Sequence, residues 1–130
     1  PLPAADVDHW LQTADLFVAP SRYESFGLIF LEAMRWGTPV VGTTAGGIPE
    51  IVEDGLSGVL VRPGAAGDLA DAIAGLLKDP DRRAALGEAG RRRMETEFTV
   101  ERMARRIAGL YREVVGRRTE PEPFEVGHDA

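Results

Sequence analysis

Three short apolar segments recur along the first half of the chain, and a helical pattern follows each of them. They are DLFVAPS from Asp15, TPVVGTT from Thr38 and SGVLVRP from Ser57. Runs of this length, closed by Gly, Pro, Ser or Thr, are typical of strands that are buried on both faces. Strands that alternate with helices form parallel sheets through crossover connections. The order therefore predicts an α/β fold: a Rossmann-like parallel sheet with flanking helices.

The segments between and after these strands carry start and stop signals of helices. The stretches FGLIFLEAMRWG and GIPEIVEDG both end in glycine, which commonly follows the last turn of a helix. After the third strand, we expect Asp68 to cap a helix, and Asp79-Pro80 to end that helix and start the next. A regular apolar period from Val100 to Val114, with arginines on the other side, predicts a final amphipathic helix.

The chain is long enough for one domain with a buried core, because it has 130 residues of which 44% are hydrophobic. We assign residues 1–116 to this domain. Residues 117–130 have no apolar period, and charged residues and proline are frequent in them. A segment of this composition cannot bury enough apolar surface to offset the entropy of folding. We therefore predict that it is a disordered tail.

Composition excludes several classes of function. The chain has no cysteine, which rules out disulfides, iron-sulfur ligation and a thiol nucleophile, and His9 and His128 stand alone without metal-ligand spacing. A formal net charge of -6 argues against a nucleic-acid surface. No apolar run approaches the ~18 residues of a membrane span, and the start does not resemble a signal peptide. We expect a cytoplasmic protein without a metal cofactor, and membrane association only through parts outside this chain.

The stretch ESFGLIFLE places two carboxylates, Glu24 and Glu32, eight positions apart in an apolar run. It follows the first predicted strand, so it lies at the carboxyl end of a parallel strand, where ligands of open α/β sheets bind. Ser25, Phe26 and Gly27 then open a helix whose free N–H groups can receive a phosphate. Gly27, which lacks a side chain, also lets a ligand approach the backbone.

The spacing of the two glutamates matches the size of a nucleotide sugar. Eight residues of helix span about 12 Å, which is close to the reach of a sugar joined through a diphosphate to a ribose. One carboxylate could accept hydrogen bonds from sugar hydroxyls and the other from ribose hydroxyls. A structural interpretation stays open, in which Glu24 is a turn residue favoured by the helix dipole and Glu32 forms an ion pair with Arg35.

The string from Pro20 to Gly64, PSRYESFGLIFLEAMRWGTPVVGTTAGGIPEIVEDGLSGVLVRPG, closely resembles the donor-binding half of retaining GT-B glycosyltransferases of the group 1 family. Three motifs carry the resemblance, because E-x7-E, EAM..G.PVV and GG.PE occur in the family's order and spacing. The resemblance implies that Glu24 contacts hydroxyls of the transferred sugar and is the catalytic residue. It also implies that Glu32 holds the nucleotide ribose.

The resemblance extends to the backbone between the two glutamates, whose amides would meet the diphosphate. The implied donor-binding residues are Glu24, Ser25, Phe26, Gly27, Leu28 and Glu32. Gly46 and Gly47 follow the second strand and lie on the same edge of the sheet, where they either border the cleft or form a plain glycine turn.

The tripeptide Asp6-Val7-Asp8 matches the Asp-x-Asp pattern with which one class of glycosyltransferases holds a divalent metal. Three residues match by chance often, and this tripeptide precedes an amphipathic segment. We therefore interpret it as helix capping rather than as a metal site.

The implied function is transfer of a sugar from a nucleoside-diphosphate sugar to an acceptor hydroxyl. We expect residues 1–116 to be a partial nucleotide-sugar-binding domain, with the family's Arg/Lys pair and its amino-terminal acceptor domain outside the chain. The isolated chain would then be inactive. The expected partners are the nucleotide sugar and that amino-terminal domain. Two alternatives stay open: a GT-B-fold nucleotide-sugar epimerase, and a non-catalytic lobe that binds sugar nucleotides.

Overall fold

The computed structural model describes residues 3–118. In chain order its elements are α1 Ala4–Thr13, β1 Phe17–Val18, α2 Leu28–Arg35, β2 Val40–Thr43, α3 Ile48–Ile51, β3 Val59–Val61, α4 Ala66–Lys78, α5 Pro80–Glu97 and α6 Val100–Arg118. The chain divides into two compact units, one that ends at Phe98 and one that begins at Thr99.

The first unit is built on a parallel sheet in the order β1-β2-β3. Val41 of the central strand lies opposite Val18 on one side and Val59 on the other. Every residue of β2 is buried. This agrees with the sequence, in which the apolar, β-branched segment predicted a strand that is covered on both faces. The predicted α/β fold, a parallel sheet with flanking helices, is therefore confirmed.

Helix α2 is anchored to the sheet by its apolar face. Phe30, Ala33 and Met34 on this face are buried. The Phe30 ring meets the Phe17 ring edge-on at 5.7 Å. It also lies over Gly42 of β2, where an added Cβ would stand 2.8 Å from two ring carbons. The missing side chain at Gly42 thus makes room for Phe30, and the fit fixes the position of α2 on the sheet.

Helix α5 packs closely against neighbouring segments. Gly87 faces the backbone carbonyl of Gly37, and an added Cβ would overlap that oxygen. Further along α5, the Arg93 guanidinium donates hydrogen bonds to the carbonyl oxygens of Ile51 and Glu50 at 2.7 and 3.0 Å. The carbonyls at the end of α3, which lack partners within the helix, therefore accept hydrogen bonds from an arginine side chain.

One edge of the sheet is closed by a side chain. The Asp54 carboxylate accepts a hydrogen bond from the backbone N–H of Leu60 in β3 at 2.9 Å. The Val61 carbonyl accepts from Thr44 and so faces β2, and backbone groups alternate along a strand, so the Leu60 amide faces away from β2.

The helix starts agree only in part with the sequence. Asp79 was expected at a helix boundary, and its carboxylate accepts from the Arg82 N–H at 2.9 Å at the start of α5, which confirms the prediction. The prediction that Asp68 caps α4 is wrong. That helix begins at Ala66, so Asp68 lies inside its first turn and pairs with Arg62 at 3.2 Å.

The capping interpretation of Asp6 and Asp8 is also wrong. Helix α1 begins at Ala4, after Pro3, with no hydrogen bond from a capping side chain. Asp6 therefore lies in the first turn. The Asp8 carboxylate accepts a hydrogen bond from the Trp36 indole N–H at 3.0 Å and so ties α1 to the end of α2.

The second unit consists of helix α6, preceded by Thr99, whose hydroxyl accepts from the Arg102 N–H at 3.2 Å. An exposed apolar stripe runs along it, formed by Val100, Met103, Ile107, Leu110, Tyr111 and Val114. The helix continues to Arg118, and residues 119–130 of the predicted tail lie outside the described residues. In the described part of the chain, no helix combines the length and the apolar character that crossing a bilayer requires.

Candidate functional site

Two loops meet at the carboxyl end of the parallel sheet. The first occupies residues 19–27 between β1 and α2, and the second occupies residues 44–47 between β2 and α3. Since β1 and β2 are neighbouring parallel strands, their following loops lie at the same edge. The loops contain the predicted site residues Glu24, Ser25, Phe26, Gly27, Gly46 and Gly47, and α2 contains Leu28 and Glu32.

Gly27 forms the entry to α2 in a conformation that other residues rarely adopt. Its φ is +100°, and no side chain caps the helix start. An added Cβ would stand 3.3 Å from the Ile51 and Phe30 side chains, so the glycine also lies against the core. The first turn of α2 therefore presents amides without a capping side chain.

Glu24 is half-buried and turns back toward the start of this helix. One of its carboxylate oxygens accepts a hydrogen bond from the backbone N–H of Phe26 at 3.3 Å. A negative charge here is favoured by the positive end of the helix dipole. The turn role that the sequence left open for Glu24 is thus present in the structure, and it occupies an amide that the resemblance assigns to a diphosphate.

Glu32 lies in a contrasting environment, on the exposed face of α2. It follows Leu28 by one helical turn, and the Leu28 side chain is 62% exposed. Among residues 3–118, no hydrogen bond or ion pair involves the Glu32 carboxylate. The expected alternative partner, Arg35, instead places its guanidinium over the Trp36 ring at 5.5 Å. Glu32 therefore presents a free carboxylate.

Several residues close in sequence to Glu24 and Glu32 are apolar and exposed. Tyr23 is 81% exposed, and Phe26, Leu28 and Ile29 are exposed as well. Exposed apolar patches commonly mark a ligand or protein contact. The exposed surface next to Glu24 and Glu32 thus has the mixed apolar and charged character of a binding site.

Gly46 and Gly47 bring the second loop onto the backbone of the first. Gly46 has a φ of +52°, and a Cβ there would overlap the Glu24 carbonyl oxygen. The Gly47 N–H donates a hydrogen bond to that same oxygen at 3.0 Å. A Cβ on Gly47 would stand 2.7 Å from the Ser25 carbonyl oxygen. The two loops can approach this closely only because both positions lack side chains.

Thr43 joins the loops at a second point, which sequence reasoning missed. Its hydroxyl donates a hydrogen bond to the Ser21 carbonyl oxygen at 2.7 Å and accepts one from the Ala45 N–H at 3.4 Å. Thr43 is only 2% exposed. Nothing in the sequence singles Thr43 out, because threonine is a common residue in strands.

The model of the family described as "Glycosyl transferases group 1" matches residues 1–93. This chain belongs to that family. The match includes the three strands and both loops of the site.

Two curated proteins are similar to this chain in sequence. It is 41% identical to alpha-maltose-1-phosphate synthase of Mycolicibacterium smegmatis over 119 residues, which is 87% of this chain and 31% of the relative. It is 43% identical to D-inositol 3-phosphate glycosyltransferase of Thermobispora bispora over 123 residues, which is 93% of this chain and 28% of the relative. The chain thus spans about three tenths of these relatives.

Solved structures of glycosyltransferases share the fold. Anabaena HepE in complex with UDP superposes with a TM-score of 0.78 at 32% identity, covering 84% of this chain and 30% of HepE. The HepE complex with UDP-glucose gives a TM-score of 0.74 at 30% identity, covering 83% and 30% of the two chains. These neighbours have the GT-B fold, so the α/β unit of this group 1 chain is of GT-B type.

A cavity of about 210 Å³ lies at the same sheet edge, toward β3. Its walls include Pro20, Arg22, Thr43, Val61, Arg62, Gly64 and Ala65. Neither Glu24 nor Glu32 lines it. Within the described residues of this group 1 chain, no three His, Asp or Glu side chains stand close enough together to hold a metal ion.

Proposed function

We propose that the protein containing this chain is a retaining glycosyltransferase that moves a sugar from a nucleoside-diphosphate sugar to an acceptor hydroxyl. The chain supplies part of the donor site. One observation carries the proposal: in a group 1 chain, two carboxylates flank an uncapped helix start at the carboxyl edge of a parallel sheet. HepE, which shares the fold, binds UDP and UDP-glucose, and this supports a nucleotide sugar as the donor.

The diphosphate is proposed to bind at the start of α2. No side chain caps this helix, and Gly27 allows a ligand to approach its first amides. The positive end of the helix dipole favours an anion there. Cationic groups from the rest of the protein would complete the neutralisation of the diphosphate.

Glu32 is proposed to hold the nucleotide ribose. Its carboxylate is exposed, and among the described residues it has no partner that a ligand would need to displace. Two carboxylate oxygens can accept from the two neighbouring hydroxyls of a ribose, and such charge-assisted hydrogen bonds are short and strong. Because Glu32 is fixed on a helix, it is ready to bind before the donor arrives.

Glu24 is proposed to contact the transferred sugar, but only after it releases the Phe26 amide. A diphosphate that approaches the same amide competes with the Glu24 carboxylate for it. The two negative charges also repel each other, so donor binding drives the carboxylate away from the helix start. The freed carboxylate then accepts hydrogen bonds from sugar hydroxyls.

The proposed reaction breaks the bond between the anomeric carbon and the diphosphate oxygen, and the bonding electrons leave with the diphosphate. The acceptor oxygen forms the new bond on the same face of the sugar, and its proton passes to the departing phosphate. The contribution of this chain is positioning of the donor and stabilisation of the leaving charge at the start of α2.

The test uses the full-length protein with a panel of UDP-, ADP- and GDP-hexoses and candidate acceptors. We expect one donor to be consumed with release of its nucleoside diphosphate, and NMR of the product to show the donor's anomeric configuration. An inverted product would refute the retaining mechanism. Conversion of one nucleotide sugar into another without release of nucleotide would establish an epimerase. Binding without turnover across the panel would favour the non-catalytic lobe.

A further inference from the structure

We infer that Thr43 is a positioning residue that holds the Glu24 loop in place for the sugar end of the donor. The inference deepens the proposed function and rests on it. Thr43 lies at the end of β2, not in the loop that carries Glu24. Its effect on the donor would therefore pass through the backbone of that loop.

The hydroxyl of Thr43 is built into the junction between the two loops. It donates to the Ser21 carbonyl at 2.7 Å and accepts from the Ala45 N–H at 3.4 Å. Removing the hydroxyl would leave the Ser21 carbonyl and the Ala45 N–H without this partner, and losing such bonds is costly at a buried residue. Ser21 precedes Glu24 by three residues, so this bond fixes the start of the segment that leads to the carboxylate.

The same turn holds the segment again at Glu24 itself. The Gly47 N–H donates to the Glu24 carbonyl at 3.0 Å, and Gly46 leaves no space for a side chain against that carbonyl. The segment from Ser21 to Glu24 has no helix or strand of its own, and Tyr23 within it is largely exposed. Its backbone position is therefore set at two points by the turn from Thr43 to Gly47.

The position of Glu32 does not depend on this turn. Helix α2 is anchored by Phe30 and Met34, both fully buried in the core. Loss of the Thr43 hydroxyl should therefore disturb the sugar end of the donor and leave the nucleotide end nearly unchanged. A purely structural role of Thr43 would affect both ends together.

The experiment compares Thr43→Val, which keeps the volume and removes the hydroxyl, with Thr43→Ser, which keeps the hydroxyl. Both are made in the full-length protein and assayed with the hexose donor that the panel identifies and its nucleoside diphosphate. We expect Thr43→Val to lower kcat about tenfold while nucleoside diphosphate affinity changes by less than about twofold. Thr43→Ser should restore kcat to within about twofold of the parent.

A second pair of variants keeps the test decisive if Thr43→Val does not fold. Gly46→Ala pushes on the Glu24 carbonyl, whereas Gly55→Ala introduces comparable positive-φ strain, at +74°, with nothing within 4 Å of the new Cβ. We expect Gly46→Ala alone to reproduce the loss of kcat with preserved nucleotide affinity. Equal effects of the two alanine variants would overturn the inference, as would parallel losses of kcat and nucleotide affinity in Thr43→Val.

Glu24→Gln in the same assay separates the inference from the function on which it rests. If Glu24→Gln leaves kcat unchanged, the proposed role of Glu24 is wrong, whatever Thr43 does. If Glu24→Gln lowers kcat but Thr43→Val and Gly46→Ala do not, the role of Glu24 stands and only the positioning role is wrong.

Discussion

The two glutamates of the E-x7-E motif are positioned in different ways. Glu32 lies on a regular helix, and the opposite face of that helix is buried through Phe30 and Met34. Glu24 lies in a loop without regular structure, which is held by the turn that follows the next strand of the chain, β2. The difference shows that one motif can combine a carboxylate fixed by local periodicity with one fixed by tertiary contacts.

The two carboxylates also differ in their state before a ligand binds. The Glu32 carboxylate is exposed and has no partner among the described residues, whereas Glu24 already accepts a hydrogen bond from the Phe26 amide. Binding at Glu32 therefore only replaces water, but binding at Glu24 requires that an internal bond break first. In the proposed donor site, the end assigned to the nucleotide would therefore be preformed, and the end assigned to the sugar would be conditional on release of the Phe26 amide.

The largest expected effect is on stability, and it tests whether buried Phe30 anchors α2, the helix that carries Glu32. Phe30→Ala removes a fully buried ring and should lower the free energy of unfolding by about 3 to 5 kcal/mol. Urea denaturation of the full-length protein, followed by tryptophan fluorescence, measures the loss. Leu28→Ala on the exposed face of the same helix is the control and should change stability by about 0.5 kcal/mol or less. Similar losses in both variants would mean that α2 is not anchored as described.

The next effect concerns the preformed end of the site. Glu32→Ala should weaken binding of the donor and of the nucleoside diphosphate alike, by about 1.5 to 3 kcal/mol, because charged hydrogen bonds are lost. Isothermal titration calorimetry measures both affinities. Asp71→Ala, which removes an exposed carboxylate from α4, is the matched control. Unchanged nucleotide affinity in a folded Glu32→Ala protein would show that this residue does not bind the ribose.

A smaller and more selective effect is expected at the conditional end. Glu24→Gln keeps the size of the side chain but removes its charge, so kcat should fall about tenfold, which corresponds to about 1.4 kcal/mol. The affinity for the nucleoside diphosphate should stay at or above that of the parent, because the ribose and diphosphate contacts remain and the repulsion from the Glu24 charge is removed. Steady-state kinetics and calorimetry on the same preparation check the pair of results. A loss of nucleotide affinity equal to the loss of kcat would reverse the assignment of the two ends.

The smallest effect is expected at the exposed ion pair between Arg62 and Asp68, which lies outside the proposed donor site. Asp68→Ala breaks the ion pair with Arg62, whose side chain is 81% exposed, and exposed pairs contribute less than about 1 kcal/mol. Thermal unfolding should shift little, and donor affinity should not change. A clear loss of donor affinity would extend the site toward β3 and would weaken the simple division into two ends.

Local patterns in the sequence were sufficient to predict the sheet and the helix that carries Glu32. The strands are short, apolar and closed by turn residues, and Asp79-Pro80 marks a helix start without ambiguity. The prediction that Asp6 and Asp68 cap helices was wrong. Each helix begins two residues before its aspartate, so both aspartates lie within the first turn.

The positioning of Glu24 could be predicted only in outline. The sequence places Gly46 and Gly47 at the correct edge of the sheet, but it does not show that they press against the Glu24 backbone. The bond from Thr43 to Ser21 joins residues 22 positions apart, and neither residue type is unusual at its place. Contacts of this kind depend on how two crossover connections pack on the sheet. A local sequence pattern does not specify that packing.

The bond between the Asp54 carboxylate and the Leu60 amide has a consequence for self-association. A strand from another molecule that docks beside β3 would need that amide as a donor, but a charged side chain already occupies it. Carboxylates at this position act as gatekeepers, because pairing would require the intruder to displace them. Growth of the sheet by strand addition is therefore disfavoured at β3.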